Sequence, residues 1–146
     1  MPSHFWETFQ RFSIWSLEFL TLPPVTIVAI ACWTSLVSAC VWQRPLSKGK
    51  WHPSYWLILT QLLYFPVTVT IGVWFPASGA GPHRELNVVG QRALDATFYL
   101  SLMTACFWVY RLKGLRWFAA SAIACQQLLI LGAGFIAGMS VTGDWL

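Results

Sequence analysis

Apolar residues fall into four long blocks along this chain, separated by short polar stretches. The runs 51–82 and 117–143 contain no Asp, Glu, Lys or Arg. A helix crossing a bilayer takes about 20 mostly apolar residues. The pattern predicts four spans: Val25–Gln43, Tyr55–Phe75, Ala93–Tyr110 and Trp117–Met139. Ahead of them, residues 3–21 follow a helical period. Glu7, Arg11 and Glu18 share a narrow arc, while Phe5, Phe9, Phe12, Phe19 and Leu20 lie opposite. That division predicts an amphipathic helix lying in the membrane interface, or packed as an arm against the spans. Pro23-Pro24 is expected to end it, because proline cannot continue the hydrogen-bond ladder.

The blocks also repeat. Ser35–Trp42 reads SLVSACVW and Ser101–Trp108 reads SLMTACFW, 66 residues later. The same offset relates Trp51 to Trp117, Gln61-Leu62-Leu63 to Gln127-Leu128-Leu129, and Gly72 to Gly138. Self-similarity at a fixed offset marks a duplicated unit. The chain therefore reads as an all-α membrane protein of one domain, residues 1–146. Two duplicated hairpins, 25–76 and 91–142, follow the N-terminal helix. Each unit has two spans, so the repeats run in the same direction, related by an axis along the membrane normal.

Composition agrees. The residues are 57% hydrophobic and only 10% charged, against about 25% charged in an ordinary soluble domain. The net charge of +4 is no nucleic-acid footprint, because the cations sit in loops between apolar blocks. Six of the nine Lys and Arg residues lie in Arg44–Pro53 and Arg111–Arg116. Positive loops face the cytoplasm. Both termini and the long Pro76–Gly90 loop are then expected outside, in a bacterial inner (plasma) membrane. Within that loop, Arg84, Glu85 and Asn87 predict a short exposed turn of helix. No secretory signal peptide is read in the N-terminal stretch.

Candidate chemistry is sparse. Gln61 and Gln127 occupy equivalent places, and a polar side chain in hydrocarbon needs a partner. They either bond each other as glue or hold a polar group of a solute or lipid. Five residues after each comes a helix-loosening residue, Pro66 and Gly132. Interrupted segments in corresponding halves point to carrier sites. Gln61, Pro66, Gln127 and Gly132 therefore form the candidate ligand site. Arg92, Asp95 and Tyr99 form a candidate polar cluster at the outer interface. In the plainer alternative, Asp95 complements the helix dipole and pairs with Arg92. Three sets of small residues are expected to pack helices: Ala31, Ser35 and Ala39, then Thr97, Ser101 and Ala105, then Gly134 and Gly138.

Cys32, Cys40, Cys106 and Cys125 lie inside apolar segments with no paired spacing, so they read as packing residues. His4, His52 and His83 lie outside the spans. No catalytic residue, metal site or cofactor is expected. The expected function is a non-catalytic accessory subunit or assembly component whose partners are lipid and other membrane subunits or further copies, with no nucleic acid. A small carrier or lipid-binding protein is the first alternative. An enzyme acting on lipid through Asp95 is the second.

Overall fold

The computed structural model describes residues 2–43, 58–78, 85–112 and 115–143. Among these, the architecture is all-helical. Five α-helices run in order: α1 Pro2–Glu18, α2 Pro23–Gln43, α3 Tyr64–Trp74, α4 Val88–Arg111 and α5 Arg116–Thr142. Tight 3₁₀ turns precede α2 (Phe19–Thr21) and α3 (Thr60–Leu63). Three helices are long and apolar enough to cross a membrane: Pro23–Trp42, Val88–Arg111 and Arg116–Thr142. The start of the expected second span, the basic residues of Arg44–Pro53, Arg84 and Lys113 lie outside the described residues. α3 has 11 residues, about 16 Å at 1.5 Å per residue.

The prolines act one step later than the sequence reading expected. They open α2 rather than close α1. Pro23 forces Leu22 into an extended conformation, φ −63° and ψ 131°. Both prolines then occupy the first helical turn, where a missing N–H costs nothing. Carbonyls freed at this break are capped by hydroxyls. Thr21 Oγ1 donates to the Glu18 carbonyl at 2.7 Å, and Thr26 Oγ1 to the Leu20 carbonyl at 2.7 Å. Pro66 likewise sits in the first turn of α3. Its ring would clash with the carbonyl four residues back, at Leu62, and that carbonyl belongs to the 3₁₀ turn.

α4 begins five residues before the expected Ala93 because Asn87 caps it. The Asn87 Oδ1 accepts from Gly90 N at 3.0 Å, and its Nδ2 donates to the Pro76 carbonyl at 3.3 Å. The expected turn of helix around Glu85 is an antiparallel bridge instead, with Ser78 and Glu85 exchanging backbone bonds of 3.2 and 2.8 Å. This loop also closes the end of α5. Ala77 N donates to the Ser140 carbonyl at 2.8 Å and Asn87 N to the Val141 carbonyl at 3.0 Å. Gly143, at φ 77°, completes the stop in a left-handed conformation.

α5 is the hub, and every other helix packs on it. α3 runs parallel to α5 and α4 antiparallel. The contacts from Phe5–Trp74 to Ser16–Gly132 run α1 antiparallel to α5. The phenyl face of α1 is turned to α3 and α5. Phe12 is buried with Val69, Ala133 and Ile136, flanked by Phe9, Phe65, Val73 and Met139. α1 thus packs against the protein's own helices, one of the two roles expected for it. A second cluster joins Ile58, Ala105, Ala119 and Ile123. α2 packs on α5 and on the turn before it, and most of its surface is open. Ile27, Trp33, Val41 and Trp42 are all exposed.

Candidate functional site

Two features hold the polar and small residues singled out by the sequence. One is a closed polar knot at mid-bundle. The other is an open groove along α5.

The knot forms where α4 and α5 meet the 3₁₀ turn before α3. Gln61 is 0% exposed. Its Nε2 donates to Thr104 Oγ1 at 2.8 Å, and Thr104 Oγ1 lies 3.3 Å from the Tyr64 hydroxyl. Gln127 Nε2 donates to Gln61 Oε1 at 3.4 Å, and Ser101 Oγ donates to Gln127 Oε1 at 3.4 Å. Turning the Gln61 amide over keeps Thr104, whose hydroxyl then donates to Oε1 at 2.8 Å, and lets Nε2 donate to the Ser101 carbonyl at 3.3 Å. In either orientation the amide is partnered by protein. In the first orientation the two glutamines bond each other, one of the two readings open to them. Thr104 and Tyr64 complete the knot and were missed. The run Thr97, Ser101, Thr104 at helical spacing along α4 is the signal that points to Thr104.

Pro66 and Gly132 do not join this knot. The Pro66 carbonyl accepts from Thr70 Oγ1 at 2.7 Å. Gly132 lies under α1, where an added Cβ would fall 2.7 Å from the Ser16 carbonyl oxygen. Gln126 faces another way again. It is buried, and its Oε1 meets no donor among the described residues.

The small-residue sets divide. On α2, Ser35 Oγ and Ser121 Oγ share a bond of 2.8 Å, Trp117 Nε1 donates to the Ser35 carbonyl at 3.4 Å, and Ala39 is buried. Ala31 lines the shallow cleft beside Ser35. On α4, Ser101 and Ala105 are buried, while the Thr97 hydroxyl bonds back to the Ala93 carbonyl at 2.7 Å. Gly134 and Gly138 have open faces, for an added Cβ at either would meet nothing within 4 Å.

No protein-family model, curated protein or solved structure matches this chain. Its own geometry carries the reading.

The two open glycines belong to a groove of about 780 Å³ running between α2 and α4 over α5. Val25 and Val28 form one wall, Leu94 and Phe98 the other, and Leu131 and Phe135 lie along α5 with the glycines. Gln91, Asp95 and Thr142 are polar members at the end near the 78–85 bridge, and Thr68 is the fourth polar residue of the lining. The i, i+3 pair expected between Arg92 and Asp95 is not formed. Asp95 has a short side chain on the groove wall, whereas Arg92 is exposed and outside the lining. Tyr99 is also exposed, and its ring meets Phe98 edge-on, with centroids 6.2 Å apart. No hydrogen bond or ion pair joins Arg92, Asp95 and Tyr99 among the described residues.

Proposed function

We propose that this chain is a non-catalytic integral membrane protein, an accessory or assembly subunit that receives a transmembrane helix of another chain in the groove between α2 and α4. One observation carries the reading. Gly134 and Gly138 lie four residues apart on the hub helix, and a Cβ added at either would meet nothing within 4 Å among the described residues. Small residues at that spacing let two helix backbones approach closely in lipid, where van der Waals packing is the main attraction between helices. Gly72 and Gly132 are already used inside the bundle. Gly134 and Gly138 are left over, flanked by two apolar walls.

The carrier reading has less support. Its central residues, Gln61 and Gln127, bond each other, Thr104 and Ser101, and Gln61 is fully buried. Their meeting across the 66-residue offset favours the duplicated-hairpin reading, with Tyr55–Phe75 as the second of four spans. Arg111 and Arg116 cluster at one end of the bundle, opposite the 78–85 bridge. That placement favours a cytoplasmic basic end and external termini, as in a bacterial inner membrane.

The test is purification in mild detergent with a Gly134→Ile variant beside the native chain. The native chain is expected to bring a membrane partner with it, and the variant to fold equally well and arrive without that partner. A variant that folds and retains the partner overturns the reading.

A further inference from the structure

We propose that the groove is filled by a second copy of this chain, with α4 of each copy lying on Gly134 and Gly138 of the other and Arg92 paired to the partner's Asp95. This rests on reading the groove as a helix-docking face.

Charge complementarity identifies the occupant. Asp95 is the one ionisable residue lining the groove, beside the uncharged polar Thr68, Gln91 and Thr142, and it has no ion pair among the described residues. An acid at the edge of a span is costly unless it is paired. Its neighbour Arg92 is likewise without an ion pair, one turn away on the same helix, and exposed. An apolar helix with a cation level with Asp95 complements this wall, and a second copy of this chain brings one. The described arginines are Arg11, Arg92, Arg111 and Arg116. Arg111 and Arg116 lie at the opposite end of the bundle. Arg11 belongs to α1, which packs on a different side of α5. Of these four described arginines, Arg92 alone has the level, the exposure and the helix required.

Symmetry then makes the match reciprocal. Two copies in one membrane share an orientation, so their twofold axis lies along the membrane normal and like helices run parallel. Residues of equal number then sit at equal depth. Arg92 precedes Asp95 by three residues, about 4.5 Å along the axis. Each guanidinium can cross to the other copy's carboxylate, forming two equivalent pairs. The exposed α4 residues Tyr99 and Met103 lie farther along the same helix and would be covered in the same step.

The test is a charge swap read by oligomeric state, using light scattering in mild detergent and subunit counting in nanodiscs. Both residues are exposed, so the variants are expected to fold. The native chain should be dimeric. Asp95→Arg and Arg92→Asp should each weaken association roughly tenfold, as expected for losing an interhelical polar contact in lipid. The double swap should recover association to within about twofold. A monomeric native chain, single variants that dimerise like the native chain, or a double swap no better than either single change would overturn the proposal. Those results leave the wider docking reading to the Gly134→Ile experiment, because loss of a different partner there does not depend on self-association.

Discussion

The two sides of α5 use the same residue in opposite ways. Toward α1 and α3, Gly132 admits the Ser16 carbonyl and Ala137 faces Gly72, with Cβ positions filled to 2.7 Å. Toward the gap between α2 and α4, Gly134 and Gly138 meet nothing within 4 Å. Gly132, Gly134 and Gly138 occur on one helix within two turns. A glycine in a membrane helix is thus no statement of packing by itself. What matters is whether the neighbouring backbone has already come close.

The sharpest way to break this contrast is to fill the closed side. Gly72→Ile would place a branched side chain where even a Cβ lies 2.7 Å from the Ala137 Cα and 3.3 Å from Phe12. Backbone on one side cannot yield cheaply, so the expected loss is about 3 kcal/mol or more, the upper range of overpacking. Gly132→Val should act similarly by lifting α1 from α5. Denaturant titration of the helical signal in mild detergent measures both. A loss below about 1 kcal/mol for both would mean that the close approach is not a structural constraint.

A smaller effect is expected at the knot. Replacing Gln61 and Gln127 together with Leu removes both amides, leaving Thr104 and Ser101 able to bond their own helix backbone, at 2.9 Å to the Leu100 carbonyl and 2.8 Å to the Phe98 carbonyl. The expected loss is on the order of 1 kcal/mol, with function retained. A folded but inactive double variant would restore the carrier reading. Next to it, Gln126→Met should go the other way. The Gln126 Oε1 is buried without a donor among the described residues, and a buried unsatisfied acceptor typically costs about 1–3 kcal/mol. Methionine keeps the length and removes that cost, so the thermal midpoint should rise by a few degrees. A lowered midpoint would mean that the amide is satisfied in the folded protein.

Adjacent glutamines with opposite expected effects show where the sequence is legible and where it is not. Equivalence under the 66-residue offset singled out Gln127 and paired it with Gln61. It offered nothing on Gln126, whose surroundings depend on packing. The same limit applies to α1. Its period marked which face turns inward, because apolar residues bury whatever covers them. It did not decide between lipid and protein as the cover, since both accept a phenyl face. Boundaries moved where a local device intervened, as at Asn87 and at the prolines opening α2. The 66-residue offset also pairs Gly72 with Gly138. The structure makes them unequal because α2 lies on α5 and leaves the far side of its own groove open.

That inequality gives the last and smallest effect on stability. Gly138→Ile is the counterpart of Gly72→Ile at the 66-residue offset, and its expected cost to the isolated protein is close to zero. Its side chain enters the groove, where it meets no atom within 4 Å at the Cβ, and isoleucine has the higher helix propensity by a few tenths of a kcal/mol. Its effect belongs to association. A branched side chain on the groove floor holds an incoming helix away, so dimer or partner recovery should fall while the denaturant midpoint stays within error of the native chain. The pair is read together. Gly72→Ile unfolded with Gly138→Ile folded and dissociated supports an open docking side. Equal damage to folding at both positions would mean that α2 and α4 close over the groove within one chain, and the contrast between the two sides of α5 would fall with it.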